Sequence, residues 1–488
     1  MPQLGHYSST LLGIREASLG ESVSSRREFL KSSAAIPLAL ALKAGADAPG
    51  TIYWQREAAE IDGFGASGAF HMAQNLRNFP ESTRKEILDL LFSPVEGVGL
   101  SVLRNIVGDG GSWGSPLNGP TPSIEPKEGT WNWSGDEEQV WLMKEAAERG
   151  CTRYMSTVWS PPAWMKTNGE VIKGRLREDK CQAFAEYLSA YVRGYKEHHG
   201  IEIYAISPTN EPEITVDYSS CYWDGEELHE FVRDHLFPTF DRDAVRAKLI
   251  LGEHSTWSEE PALPSLNDPT TAPRVDIVGV HSYVDSTGNP FPPLSARAGR
   301  LETCSKLGKR IWMTEVSDGD PNITEIEDGL YWAKLLHTHL VEDGVSAWLY
   351  WWAISNIDDR GALICLNPDN HTYVVPSRLY AIGNYSRFVR PGYLRLHVDA
   401  PAQPGVYLSA YKPRDNSQLV VVAINESGTD RLVQLEIEGA AAASLETFRT
   451  SAKEKLQAMG RTPTSGHALS LALRGFSVTT FVAVAQSS

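Results

Sequence analysis

The sequence predicts an α/β protein, a (β/α)8 TIM barrel with an associated all-β sandwich domain. Three observations carry this. Eight apolar, strand-like runs alternate with helical stripes over about 320 residues. From about Tyr393 the helical period gives way to short alternating strands separated by turns. Finally, two glutamates, Glu211 and Glu315, each close an apolar run, at the strand ends where a barrel gathers its functional side chains. A doubly wound open sheet would also alternate strands and helices. It would normally carry a Gly-rich phosphate turn after the first strand, and none is present.

Composition agrees with one large folded protein. A chain of 488 residues accommodates a barrel plus a smaller domain, and 42% hydrophobic with 22% charged residues excludes wholesale disorder. A net charge of −16 would repel a phosphate backbone, so nucleic acid is excluded as a partner. The five cysteines are widely spaced without a CxxC pattern, which argues against a zinc cluster, and their odd number argues against a complete disulfide framework. Fourteen Trp and eighteen Tyr suit the stacking of sugar rings and the filling of a core equally well.

In chain order, residues 1–48 read as an export signal. Ser24-Ser25-Arg26-Arg27-Glu28-Phe29-Leu30-Lys31 precedes a short apolar run through Leu42, and small residues follow from Ala44 to Ala48. The arginine pair resembles a twin-arginine signal, which implies a periplasmic or extracellular protein beginning near Asp47 to Pro49. An amphipathic helix of the mature protein is the rival reading. No other segment approaches transmembrane length, so the mature protein is expected to be soluble and free of stable membrane association, and a monomer.

Residues 49–61 contain the strand-like Ile52-Tyr53-Trp54-Gln55, and the barrel is expected over 62–388. Strand one is Ile61 to Gly65, followed by a capping box at Thr83-Arg84-Lys85-Glu86 that opens a helix to Phe92. Strand two is Leu100 to Val107, and its helix opens at Ser134-Gly135-Asp136-Glu137 with Val140, Met143 and Ala147 at helical spacing. Strand three is Thr152 to Trp159, and the next helix places Phe184, Tyr187, Leu188, Tyr191, Val192 and Tyr195 on one face. Strand four leads to Glu211, with a helix through Leu228, Phe231, Val232 and Leu236. Lys248 to Gly252 and Val275 to His281 are strands five and six. Strand seven carries Glu315, with Leu330, Ala333, Leu336 and Leu340 as the following stripe, and strand eight is Ala347 to Trp352. The sandwich, over 389–488, shows strands at Val406–Lys412, Gln418–Asn425, Arg431–Glu438, Ala443–Arg449 and Phe476–Ala485. With no linker between the two parts, tight docking is expected.

Polar residues at the strand ends are Arg104-Asn105, Trp159-Ser160, Asn210-Glu211, His281-Ser282-Tyr283, Glu315 and Trp351-Trp352. Two carboxylates converging there suit glycoside cleavage, one protonating the leaving oxygen and the other attacking the sugar. Gly63-Phe64-Gly65, the stretch Trp159-Ser160-Pro161-Pro162-Ala163-Trp164-Met165-Lys166-Thr167-Asn168-Gly169, Thr209-Asn210-Glu211-Pro212-Glu213 and Trp312-Met313-Thr314-Glu315-Val316-Ser317 resemble glycoside hydrolase family 30 of clan A. The resemblance spans nearly the whole mature chain and implies a sandwich completed by the N-terminal strand.

It also implies a retaining double displacement, with Glu211 as acid/base and Glu315 as nucleophile. Asn210 would bind the sugar 2-hydroxyl, Arg104 would hold Glu315 ionised, and Tyr283 would orient it. His281 would tune Glu211 or a subsite, or serve structure alone. Trp159, Trp164 and Trp351 are candidate stacking platforms, Trp164 equally a core residue. Asp358-Asp359-Arg360 lies where subsites are often built, although a solvated turn explains it too.

The resemblance implies a β-linked polysaccharide or oligosaccharide as substrate. Asp217 to Gly225 and Asn78 to Gly108 look most like the xylan-acting branches, which points to an endo-β-1,4-xylanase. A β-1,6-glucanase, a β-1,6-galactanase and a glucosylceramidase-like β-glucosidase are the alternatives. The loop Ala69-Phe70-His71-Met72-Ala73 carries no arginine to pair with a uronate, Arg77 being the nearest. A non-catalytic carbohydrate-binding protein on this scaffold would lack one of the carboxylates, and both are present. A metal-dependent hydrolase would need clustered His and Asp at strand ends, and His281 stands nearly alone, so neither metal nor cofactor is expected.

Overall fold

The computed structural model describes residues 48–71, 73–111, 120–284, 291–317, 323–356 and 360–487. All but the last residue of the expected export signal lies outside these, as do Met72 and the Asp358-Asp359 pair.

Among the described residues, eight parallel strands form a barrel: Gly63–Ser67, Val102–Ile106, Arg153–Thr157, Ile203–Ser207, Lys248–Thr256, Ile277–Tyr283, Arg310–Glu315 and Val345–Ser355. Strand eight pairs with both strand seven and strand one, which closes the ring. Parallel strands covered on both faces must be apolar along their length, and these are buried at nearly every position. Val102, Met155, Ala205, Ile250, Ile277, Trp312, Ala347 and Leu349 fill the interior as one packed cluster. Residues of the opposite facing, among them Leu103, Ile206, Val278 and Trp348, pack with the surrounding helices.

The amino-terminal rim is held by Asp62, which is buried. Its carboxylate accepts from Trp312 Nε1 (3.0 Å) and Ser346 Oγ (2.8 Å) and pairs with Arg153 (3.1 Å) and Arg310. Strands three, seven and eight meet on this one side chain at the foot of strand one, so the rim reads as a stability feature.

The helix Cys181–His199 buries the stripe from Phe184 to Tyr195 and stops at Gly200, whose φ of 71° is a left-handed cap. Helix Glu325–Val341 buries Leu330, Ala333, Leu336 and Leu340. Capping boxes do occur, at Asp224/Glu227 and Thr324/Glu327. The two expected at Thr83–Glu86 and Ser134–Glu137 are corrected by the structure. Those helices run Glu81–Phe92 and Glu137–Glu148, with Pro80 and Asp136 at their starts and no side-chain cap. The first helix is already under way when the chain reaches Thr83, and Ser134 turns its hydroxyl to Asn132 Oδ1 (3.0 Å). Strand eight is longer than the sequence suggested, and a hairpin, Ala362–Asn367 with Thr372–Val374, extends the sheet beside it.

The second domain is a closed circuit of nine strands, in the order Gly50–Glu60, Leu394–Asp399, Val406–Lys412, Gln418–Asn425, Ser477–Ser487, Ala440–Ser451, Gln457–Gly466, Ala468–Leu473 and Arg431–Glu438. The first strand runs antiparallel to Leu394–Asp399 and parallel to Arg431–Glu438. Leu394–Asp399, Gln457–Gly466 and Ala468–Leu473 escaped the sequence reading. Gln457–Gly466 is exposed almost throughout and contains two glycines and Pro463, so no alternating pattern marks it.

Ile52, Trp54, Val421, Leu435, Leu471 and Phe481 fill the circuit. On its other face Tyr411, Val420, Val422, Ile424 and Val478 belong to the same apolar cluster as the barrel helices. Asn384 and Thr480 exchange two hydrogen bonds across this contact (2.9 and 2.6 Å), and Lys334 pairs with Glu426 (2.8 Å). The two domains therefore share one core. All five cysteines are free thiols, and no described helix is long and apolar enough to cross a membrane.

Candidate active site

Strands two, four, five, six and seven deliver their terminal polar residues to one point inside the carboxyl-end rim. Arg104 is the hub and is fully buried. Its Nη1 pairs with Glu315 Oε2, while Nη2 donates to Asn210 Oδ1 (2.6 Å) and Glu253 Oε2 (2.8 Å). Its Nε donates to Thr157 Oγ1 (3.2 Å), and the guanidinium lies 4.5 Å from the ring centre of Trp159. A planar fork of donors is what permits one side chain to serve four acceptors at fixed angles. Burial works against this charge, and the charges on Glu315 and Glu253 outweigh it.

Glu315 also accepts from the Tyr283 hydroxyl (3.1 Å). Burial pushes its carboxyl up from the ordinary value, with His281 and Arg104 opposing and Glu211 reinforcing the shift. Glu211 sits at φ 45°, a left-handed conformation costly for a residue with a side chain and held here by its surroundings. Its Oε1 meets His281 Nδ1 at 3.0 Å. One ligating atom each of Glu211, His281 and Glu315 fall within 4.8 Å of one another. His281 is fully buried, which alone would lower its proton affinity, yet the Glu315 charge and the contacts with Glu211 and Glu253 push it up to about 10. The imidazole is therefore a cation at neutral pH, which makes this trio a poor metal site despite its spacing.

The aromatic residues divide. Trp159 and Trp351 lie 5.9 Å apart, centroid to centroid, with Phe70 against both (5.2 and 6.3 Å) and Trp352 stacked on Trp351 (5.0 Å). Trp164 does not join them: its Nε1 donates to the Glu125 carbonyl (3.0 Å), and it packs against the main core, so the structure favours its reading as a core residue. In the same motif, buried Lys166 donates to Ser160 Oγ (2.9 Å), Lys173 O (2.6 Å) and Ser220 O (2.7 Å). It ties the loop after strand three to the loop after strand four.

Sequence reasoning missed Glu253, Tyr218, Thr157 and Thr314. Tyr218 borders both carboxylates: burial, and then the charges of Glu211 and Glu315, raise its phenol well above the ordinary value. The signal for Glu253 was its place directly after the apolar run Lys248 to Gly252. A cavity of about 550 Å³ lined by Lys144, His199, Tyr204 and Arg246 opens at the opposite end of the strands and includes none of these residues.

The family model described as Glycosyl hydrolase family 59 matches residues 61–365, from strand one to the hairpin after strand eight. This chain belongs to glycosyl hydrolase family 59. The protein is thus a glycoside hydrolase. The model names family 59 where the motifs pointed to family 30, and the relatives bridge the two. Glucuronoxylanase XynC of Bacillus subtilis is 29% identical over 367 residues, 74% of this chain and 79% of that protein. Galactocerebrosidase of Mus musculus is 25% identical over 346 residues, 69% of this chain but 45% of its own length. Among solved structures, the glycoside hydrolase family 30 subfamily 8 xylanase of Clostridium acetobutylicum superposes with a TM-score of 0.72 at 26% identity, covering 89% of this family 59 chain and 99% of that one.

Proposed function

We propose that the protein is an exported, retaining β-glycosidase that cleaves xylan by double displacement, in the manner of the xylan-acting branches of family 30. The observation that carries the mechanism is the pairing of the two glutamates. A carboxylate oxygen of Glu211 and one of Glu315 lie within 4.8 Å, near the 5–5.5 Å characteristic of retaining enzymes and short of the 6.5–9.5 Å that inverting enzymes need for a water.

In the first step Glu211 donates its proton to the leaving oxygen while Glu315 attacks the anomeric carbon. In the second, Glu211 takes a proton from the water that releases the sugar. Arg104 and Tyr283 hold Glu315 ionised and aimed. With Asn210 Oδ1 committed to Arg104, its amide nitrogen is the group left to donate to the sugar 2-hydroxyl. The Trp159, Trp351 and Phe70 cluster forms an apolar wall against which a ring can rest. Export rests on the Arg26-Arg27 signal.

Xylan as substrate is supported by the glucuronoxylanase and xylanase relatives. A β-galactoside is the second reading, favoured by the galactocerebrosidase match. Glu315→Gln should abolish turnover while leaving the fold intact, and unchanged hydrolysis would sink the mechanism. A panel of β-1,4-xylan, glucuronoxylan, β-1,6-glucan, β-1,6-galactan and an aryl β-galactoside, with product sizing, decides the substrate. Release of xylo-oligosaccharides supports the first reading; activity confined to the galactosides replaces it with the second.

A further inference from the structure

Glu253 is a carboxylate with no exposure to solvent, a placement that is costly unless opposite charges surround it. The backbone is built to put it there. Strand five pairs Gly252 with Gly279 and then His254 with Val280, so the ladder slips by one residue at Glu253. Gly252 at φ 110° and Glu253 at φ 56° form the distortion, a bulge that turns the Glu253 side chain into the barrel. On the neighbouring strand Gly279 leaves room for it, since a Cβ there would overlap Glu253 Oε1. Both oxygens are used: Oε1 accepts from Thr314 Oγ1 (2.7 Å), while Oε2 accepts from Arg104 (2.8 Å) and faces His281 Nε2 at 3.6 Å. Its carbonyl accepts the Glu211 N–H (2.8 Å), so the same residue also pins the backbone of the expected acid.

We infer that Glu253 is a positioning residue for the reaction, a third carboxylate whose fixed charge keeps one proton on the Glu211–Glu315 pair. The titratable groups facing this point are Arg104, Glu211, Tyr218, His281, Tyr283 and Glu315, and burial keeps the Tyr218 phenol neutral. Arg104 and His281 supply two positive charges. Were Glu211 and Glu315 the sole anions, both could be ionised together and no acid would remain. With Glu253 also charged, the buried charges balance when the catalytic pair keeps one proton. Arg104 and His281 hold the Glu253 carboxyl below its ordinary value despite burial, which keeps its charge fixed through the cycle.

The inference rests on the double-displacement reading and is tested through the pH profile. Glu253→Gln keeps the shape and removes the charge, so the alkaline limb of kcat/KM, which reports loss of the acid's proton, should move down by about one pH unit or more. KM should change less than kcat. Glu253→Asp, whose shorter side chain suits the left-handed backbone, restores a charge farther from the pair. Its limb should lie between those of Glu253→Gln and wild type, and it serves alone where the Gln variant does not fold. A uniform loss of activity with the limb unmoved in the variant that folds overturns the inference, as does full wild-type behaviour. Glu315→Gln run alongside separates the two levels. Retained turnover there overturns the mechanism itself, whereas an inactive Glu315→Gln with unmoved Glu253 limbs overturns this inference alone.

Discussion

Arg104→Met offers the sharpest test of how the site is charged, because it replaces the hub with an apolar side chain of similar length. In the wild type one guanidinium faces two buried carboxylates, Glu315 and Glu253, and also holds Asn210. Removing one partner of a buried ion pair costs about 3–5 kcal/mol, because the charge left behind has neither water nor counter-ion. Here His281 remains as the second cation, so the penalty falls on whichever carboxylate takes up a proton to relieve it. Glu315 is the weaker holder of charge, since burial already raises its carboxyl while Glu253 is held low. If the penalty falls on the ionised nucleophile, kcat/KM falls between about 10² and 10⁴-fold at about 1.4 kcal/mol per decade. The sign of the pH effect follows: Arg104 lowers the Glu315 value, so its removal raises it, and the acidic limb of kcat/KM moves to higher pH. The assay is kcat/KM on an aryl β-glycoside or on soluble xylan across the acidic and neutral range, with circular dichroism to confirm folding. A loss below about tenfold with the acidic limb in place would refute the reasoning.

Two further outcomes are expected. Because the His281 value is raised from 6.5 to about 10 in the folded protein, its contribution to stability is complete below about pH 6.5 and drains away as pH rises toward 10. The difference in Tm between wild type and His281→Gln should therefore shrink over that interval; a difference that grows with pH would contradict the assignment. Lys166→Met removes an ammonium that donates three hydrogen bonds under the loops, taking their donor from the Lys173 and Ser220 carbonyls while the Ser160 hydroxyl keeps its bond to Pro161 O. The expected loss is about 2–4 kcal/mol in urea unfolding, with KM raised more than kcat is lowered. A stability change within about 0.5 kcal/mol would show that the loops hold without it.

The barrel could be read from the sequence because each of its strands is a continuous apolar run closed by a polar residue, and Glu211 and Glu315 stand where such runs end. Arg104, Asn210, His281 and Tyr283 were picked out on the same ground, and the structure brings all four to the two glutamates. Glu253 also follows an apolar run, Lys248 to Gly252, and was passed over. What the pattern does not show is the slip of one residue at Glu253 that turns its side chain into the barrel, since a bulge leaves no trace in an alternating or apolar pattern. Trp164 has two readings in the sequence, platform or core. Its motif is informative, but a tryptophan has one N–H to satisfy, and the Glu125 carbonyl claims it. Helix starts were least legible: Thr83/Glu86 and Ser134/Glu137 have the spacing of a capping box, and so do the genuine Thr324/Glu327 and Asp224/Glu227. Only the backbone distinguishes them.

The strand Gly50–Glu60 has a consequence for how the molecule is made. It emerges from the ribosome ahead of the whole barrel, yet both its hydrogen-bonding neighbours, Leu394–Asp399 and Arg431–Glu438, come after it. At about 5–20 residues per second it waits some tens of seconds, roughly 330 residues of synthesis, before the nearer one appears. Throughout that time Ile52 and Trp54, the residues it will bury, have no domain to enter. An unpaired apolar strand is a template for pairing with other chains, so the nascent protein is most exposed to aggregation at its beginning rather than at its end. Tethering that strand beside Leu394–Asp399 by circular permutation would remove the wait and leave the carboxyl-end rim of the barrel untouched.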